Sequence, residues 1–176
     1  MLARLRKCAS KAHFPCLGAV SKINFVSLHK ISFFLSGICV LSKIKWIVEI
    51  FDRRAHQWRP GSSMVEIRSG AGVTVYDKKI IAVGGHKGAE VHRSAEILID
   101  GTWTALTNMS VPRRNAAVVA LNELLYAIGG DDGSSNLSTI ECAQLSHNSE
   151  SQWKVIDAHL PQGRSYAGIA LIPKEY

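Results

Sequence analysis

The chain has 176 residues, 47% of them hydrophobic, enough to bury a core and too apolar for a disordered polymer. Its formal charge of +7 invites a nucleic-acid reading, which the placement of the charge argues against. Residues 1–48 hold 8 of the 21 Lys and Arg and no acid, whereas the remainder holds 13 basic against 14 acidic residues, so the basicity belongs to an N-terminal segment rather than to a face of a fold.

Residues 1–46 stand apart from the rest. Arg4, Arg6, Lys7 and Lys11 without an acid suit a transit peptide. The apolar run Ile31–Ser42, bracketed by Lys30 and Lys43, is too short to span a membrane as a helix. As a signal peptide it would carry a long leader of 30 residues. The expectation for this segment is irregular or helical structure. Cys8, Cys16, Cys39 and Cys142 show no Cys-x-x-Cys spacing, which fits neither a zinc site nor a disulfide framework, and reduced thiols are expected.

From Ile47 the pattern is one of short strands. Ile47–Asp52 reads as a strand, followed by a turn through Arg53–His56 and Trp58. A complete unit follows over 64–110. Gly72–Tyr76, Lys79–Val83, Ser94–Ile99 and Thr102–Leu106 are its predicted strands, with Asp77-Lys78-Lys79 and Asp100-Gly101 as turns. A second unit over 111–159 has predicted strands at Ala116–Leu121, Leu124–Gly129, Ser138–Leu145 and Gln152–Ile156. A further unit opens over 160–176, with an apolar run ending at Ile172.

The units echo one another. Gly84-Gly85 and Gly129-Gly130 are 45 apart, as are Glu96 and Glu141; Arg68 and Arg114 are 46 apart, Trp103 and Trp153 are 50 apart, and Arg164 opens the last unit. A period near 50 with four apolar runs per unit is the signature of a β-propeller blade. Inner strands buried on both faces read as continuous apolar runs, glycine pairs permit close backbone approach, and outer tryptophans fill the widening gap between blades. In both units the glycine pair lies 12 and 11 residues before the glutamate; the same count back from Glu49 reaches Gly37 and Ile38, so Ile31–Trp58 also reads as a decayed blade. The expected fold is all-β: a partial propeller with two complete four-stranded blades (64–110 and 111–159) and partial blades at 47–63 and 160–176.

These residues resemble kelch repeats. The resemblance rests on the Arg before the first strand, the double glycine after the second, the Glu of the third (Glu49, Glu96, Glu141) and the Trp of the fourth (Trp58, Trp103, Trp153). Arg68-Ser-Gly-Ala-Gly-Val and Tyr126-Ala-Ile-Gly-Gly-Asp-Asp-Gly look closest to kelch-like proteins of the animal cullin-adaptor type. The likeness covers about Ile47 to Ile172, with Ile81 where an aromatic is usual. It implies a protein-recognition propeller that, joined to BTB and BACK domains, delivers substrates to a cullin-RING ubiquitin ligase. Neither domain is recognisable here, so cullin recruitment would need a longer form. Actin binding is the alternative implication. Both imply a cytoplasmic setting, the second with cytoskeletal association. An enzyme on such a propeller, like the copper oxidases of that superfamily, would need a Tyr, His and Cys set, and none recurs.

Candidate contacts follow from the loops at one end of the propeller. Arg68, Arg114 and Arg164 enter innermost strands, where a guanidinium suits a carboxylate on an acidic peptide motif; tying blade to blade is their equally weighted alternative. His86 and Arg93 border one loop after a glycine pair, and Asp131, Asp132 and Asn136 another. His86, Glu90 and His92 lack a third ligand at useful spacing, so exposed loop histidines are expected rather than a metal site. Adjacent Asp131 and Asp132 point apart in an extended chain. With no nucleophile constellation, phosphate loop or nucleotide fingerprint, the expectation is a protein partner, no catalytic residue, no cofactor, no metal, no nucleic acid and no membrane.

Overall fold

The computed structural model describes residues 24–28, 31–38, 45–145 and 152–172, with side chains from Val48 onward. The transit-peptide and signal-peptide readings, and Cys8, Cys16 and Cys39, lie outside the described residues. All regular structure among the described residues is β, in three four-stranded antiparallel sheets and one small hairpin.

The first sheet runs β1 (Asn24–Leu28), β2 (Ile31–Ile38), β3 (Lys45–Asp52) and β4 (Gln57–Pro60) in sequential order. Over residues 24–28, 31–38 and 45–46 this corrects the irregular or helical expectation for the N-terminal segment, and it turns the half blade expected at 47–63 into a full sheet. Ile31-Ser-Phe-Phe-Leu-Ser is rich in residues that suit a pleated surface, and β2 pairs with β3 over eight positions, from Ile31 opposite Asp52 to Ile38 opposite Lys45. The sheet begins at Asn24, ahead of the decayed blade read from Ile31. Its register also shifts the repeat by one residue. Glu49 lies opposite Phe34, as Glu96 lies opposite Ala82 and Glu141 opposite Ala127. Ser36 and Gly37 therefore stand where the other sheets have glycine pairs.

The second sheet contains β5 (Gly72–Tyr76), β6 (Lys79–Val83), β9 (Ala95–Ile99) and β10 (Thr102–Leu106); between β6 and β9 the chain forms the hairpin β7 (His86–Lys87) and β8 (Glu90–Val91). The third holds β11 (Ala117–Leu121), β12 (Leu124–Ile128), β13 (Thr139–Gln144) and β14 (Lys154–His159). Two-residue turns link the inner strands, with both central residues at positive φ: Asp77 and Lys78 in one, Asn122 and Glu123 in the other. That geometry matches the twist of the paired strands. The opening of the further unit, residues 161–172, forms no strand, having no neighbouring strand among the described residues to complete a ladder.

The core lies between sheets. Ile80, Ala82, Trp103 and Val48 close the first junction; Ile81, Val83, Ala95, Ile97, Leu125, Ala127 and Trp153 help close the second. Side chains alternate along β6, so one strand feeds both junctions. Trp103 donates its indole N–H to the Ser62 carbonyl at 3.0 Å and Trp153 to that of Thr107 at 2.9 Å. These outer-strand rings thus fill their junctions with the one polar atom satisfied. Trp58 occupies the same strand position but is 37% exposed and packs on Phe51.

Gly84 shows how tight the joints are. Its φ is +63°, and an added Cβ would lie 2.1 Å from the Arg113 carbonyl oxygen. Gly88 has nearly the same φ, +60°, with open space around it. Gly88→Ala is expected to cost about 1 kcal/mol from backbone strain, and Gly84→Ala at least about 3 kcal/mol because the blade junction must also move. Urea unfolding of both variants checks the difference.

Candidate functional site

Each blade junction is built by a linker that leaves an outermost strand and enters the next innermost one. Linkers 61–71 and 107–116 carry the same side-chain set. Arg68 directs its five N–H groups at the Glu96 carboxylate (Nε, 2.8 Å), the Gly84 and Ser94 carbonyls (Nη1, 2.7 and 2.9 Å), and Glu66 and the Ser94 hydroxyl (Nη2, 3.3 and 2.7 Å). Arg113 does the same with Glu141 (Nε 3.2 Å, Nη2 2.9 Å), the Gly129 and Thr139 carbonyls (Nη1, 2.8 and 3.0 Å) and the Thr139 hydroxyl (Nη2, 2.9 Å). Both guanidinium side chains are completely enclosed, at 0% exposure.

The glutamates reach back to the linkers. Glu96 accepts the N–H groups of Val65 and Glu66, at 2.6 and 3.0 Å, and Glu141 those of Ser110 and Val111, at 2.8 and 3.2 Å. Burial pushes the Glu141 carboxyl upward, but the Ser110 hydroxyl and amide and the Arg113 guanidinium outweigh it and hold the group below its ordinary value.

The residue in register with Arg68 is therefore Arg113, not Arg114. The three linker positions are Arg68, Arg113 and Arg164. Their carbonyl contacts agree: Gly85 N–H donates to Arg113 and Gly130 N–H to Arg164, at 2.8 and 2.9 Å. The residues two further on, Gly70, Asn115 and Tyr166, all have positive φ. Arg113 was missed because Arg113-Arg114 offers two candidates, and the 45-residue interval shared by the glycines and glutamates was the signal that selects the first. Arg68 is a structural tie and is not offered to a partner.

Arg114 sits one residue further along, at the rim. Its Nε pairs with Asp131 Oδ1 at 2.8 Å, with side chains 29% and 21% exposed, and the two backbones exchange N–H···O bonds of 2.9 Å each. Ser69 and His86 exchange the equivalent backbone bonds in the previous blade. These two bridges line up on the loop face. His86 turns its Nδ1 to the Gly88 carbonyl, 2.9 Å away. Arg93 is exposed, and its carbonyl accepts the Met109 N–H at 2.8 Å.

The loop after Gly130 is shaped by its acids. Asp131 bridges Asn136 and accepts the Gly133 N–H at 2.9 Å. Asp132 Oδ1 accepts from the Ser134 hydroxyl (2.7 Å) and the Ser134 and Ser135 amides (2.8 Å each), which lowers its carboxyl to about 2. Both aspartates are thus engaged in turn formation. Asn136 is exposed beside them.

His92 departs from the exposed histidine expected at its position. Its side chain is 10% exposed, with Nε2 2.8 Å from the Ile67 carbonyl and Nδ1 3.6 Å from Glu66. Val65, Glu66, Ile67, Lys87, Glu90 and His92 line an open groove next to it. Among the described residues no group of three or more His, Cys, Asp or Glu is arranged to hold a metal.

The family model described as the Kelch motif matches residues 67–110 and 112–142. The chain carries kelch repeats. Kelch-like protein 38 of Mus musculus is 29% identical over 145 residues, covering 79% of this chain and 25% of that protein. Kelch repeat and BTB domain-containing protein F47D12.7 of Caenorhabditis elegans is 29% identical over 119 residues, covering 66% of this chain and 20% of that protein. The F-box/kelch-repeat protein At2g44630 of Arabidopsis thaliana is 36% identical over 86 residues, 47% of this chain and 23% of that protein. The chain spans a quarter or less of these relatives. The solved structure of YjhT superposes with a TM-score of 0.72 at 13% identity, over 90% of this chain and 58% of that one. The fold is a partial kelch β-propeller; the first matched segment holds the second sheet, and the second holds β11, β12 and most of β13 of the third.

Arg113→Met should lower stability by about 3–5 kcal/mol, because it strands a buried glutamate. Arg114→Ala should cost no more than about 1 kcal/mol, as expected for a rim pair. Denaturant midpoints distinguish the two. The depressed Glu141 carboxyl adds stability that is complete above its ordinary value of 4.5 and lost as pH falls through the lower folded value. Glu141→Gln should therefore flatten the acid limb of a stability–pH curve, measured by thermal unfolding between pH 3 and 7.

Proposed function

We infer that the chain is a kelch-repeat protein-interaction module, the reading that its fold and relatives support. We propose, more specifically, that this propeller recognises protein substrates for a cullin-RING ubiquitin ligase, as part of an adaptor whose cullin-binding BTB domain belongs to a longer form. The pairing of kelch repeats with BTB in the name of one relative supports this assignment. On this reading the chain binds rather than catalyses, and works in the cytoplasm.

The contact surface is the loop face where the linkers and post-glycine loops converge. One observation carries this choice. The junctions are chemically alike in their enclosed Arg–Glu ties, yet the rim positions just outside them differ: Ser69 and His86 in one blade, Arg114 and Asp131 in the next. A scaffold that repeats beneath a rim that varies is how a repeat fold separates stability from specificity. The exposed Arg93 and the Arg114–Asp131 pair favour a segment carrying carboxylates, which can take Arg93 directly and exchange with Asp131 for Arg114.

The test is affinity capture with the full chain and with two charge reversals. Arg93→Glu combined with Arg114→Glu should remove at least about 90% of a specifically captured partner, as expected for loss of central charged contacts. Lys78→Glu, in the hairpin turn at the opposite end of the strands, should leave capture unchanged. Expression of the isolated chain should also reduce ubiquitination of that partner by competing with the complete adaptor. Equal capture by the rim variant and the parent chain would refute the assignment of this face.

A further inference from the structure

The two junctions share one backbone plan, so their side chains can be compared position by position. His92 and Leu137 are equivalent residues. Each donates its N–H to the carbonyl of the second glycine of its pair, at 2.8 Å, and each accepts the N–H of the next linker arginine, at 3.0 and 3.1 Å. The same 45-residue step relates Glu66 to Val111 and Ser94 to Thr139. The second junction therefore carries an apolar pair, Val111 and Leu137, where the first carries a carboxylate and an imidazole.

The His92 ring is held on one side only. Its Nε2 lies 2.8 Å from the Ile67 carbonyl. A carbonyl only accepts, so Nε2 carries the proton. In the neutral ring Nδ1 is then an acceptor, and it faces a Glu66 carboxylate oxygen 3.6 Å away. Acceptor meets acceptor across that gap, and no hydrogen bond closes it. A second proton reverses the relation, because Nδ1–H becomes a donor aimed at a carboxylate. The ring is 10% exposed and the Glu66 side chain 43%, so the glutamate is the partner with room to move. Its Oε2 accepts the Ser94 hydroxyl at 2.5 Å and Arg68 Nη2 at a long 3.3 Å. If Glu66 turns toward the ring, Arg68 Nη2 keeps the Ser94 hydroxyl, at 2.7 Å. The other charges near the ring are spent or offset. Lys87 and Glu90 oppose each other on hairpin β7–β8 and line the same groove. Glu96 is taken up by Arg68 and the Val65 and Glu66 amides, Arg113 by Glu141, and Arg93 is exposed.

We propose that His92 is a proton-operated latch on the first junction: the neutral ring holds linker 61–71 at Ile67 alone, and the imidazolium holds it at both Ile67 and Glu66. The latch sits where the two linkers meet, because the His92 carbonyl also takes the Arg113 N–H of linker 107–116. Imidazole gains and loses its second proton between about pH 5 and 8, so acidification over that range fastens the loop of the second sheet to the linker before it. The second junction, with Val111 and Leu137 at the same positions, lacks the groups to respond. One joint of the propeller thus senses pH while its neighbour, built on the same backbone, does not.

A double-mutant cycle on the 176-residue chain isolates the pair. The parent, His92→Gln, Glu66→Val and the double variant are unfolded in urea at about pH 5.5 and about pH 8, the two sides of the imidazole range. At the higher pH the coupling between the two positions should be near zero. At the lower pH it should raise the folded-to-unfolded ratio on the order of fivefold, the upper range for a partly exposed pair. Loss of the Glu66 contacts with Arg68 and Ser94 occurs in both legs of the cycle and cancels. Nitrogen-15 spectra of the His92 ring cover a variant that unfolds: at the lower pH the parent should show an Nδ1–H protected from exchange with water, and Glu66→Val should remove that protection. Equal coupling at both pH values, no coupling at the lower one, an unprotected Nδ1–H in the parent, or protection that survives Glu66→Val would overturn the latch.

Discussion

Enclosed arginines tie this structure together. A guanidinium with no solvent contact is costly to bury, and only complete satisfaction of its five N–H groups by carboxylate, hydroxyl and carbonyl oxygens makes it tolerable. Arg68 and Arg113 achieve that with nearly superposable partners. Each ties three pieces of chain: the linker, the end of the second strand, and the start of the third strand, whose glutamate in turn holds the linker amides. Removing any one leaves the others unsatisfied, so the set is kept or lost as a unit.

This arrangement explains why the blade junctions are specific as well as apolar. Hydrophobic burial between sheets is non-directional and would permit sliding. The arginine fork and the glycine pairs, with backbone carbonyls within van der Waals contact of Gly84 and Gly129, allow one registration only. The indole N–H bonds of Trp103 and Trp153 fix the outer edge in the same way. Variation is then confined to rim residues one position outside the tie, where Arg114 replaces Ser69 and Asp131 replaces His86.

The candidate site was partly legible in the sequence. The loops after the glycine pairs were identifiable because Gly and Asp signal turns by their own chemistry, and Asp131 and Asp132 do shape one. The roles within them were not, because enclosure depends on residues far away in sequence. In the sequence Arg68 suited a partner contact and a blade-to-blade tie equally; Glu96, 28 residues on, and the Gly84 and Ser94 carbonyls close around it and make it the tie. His92 looked exposed until Ile67 and Glu66 were brought against it. The 46-residue spacing of Arg68 and Arg114 was a near coincidence that only the hydrogen-bond pattern could resolve in favour of Arg113.

By itself the sequence determined the repeat, its strands and its kelch character, because strand periodicity, two-residue turns and glycine pairs are local properties. Within the second and third sheets the predicted strand ends agree with the structure to within three residues. Tertiary structure alone decided three matters. It made a complete sheet of the N-terminal strands, whose pairing with β3 supplies what their weak repeat signature lacks. It left residues 161–172 without a ladder, since a strand exists only beside another. It also sorted the arginines into enclosed ties, a rim ion pair and an exposed cation, because the environment of a charge is set by the chain segments packed around it and not by its neighbours in sequence.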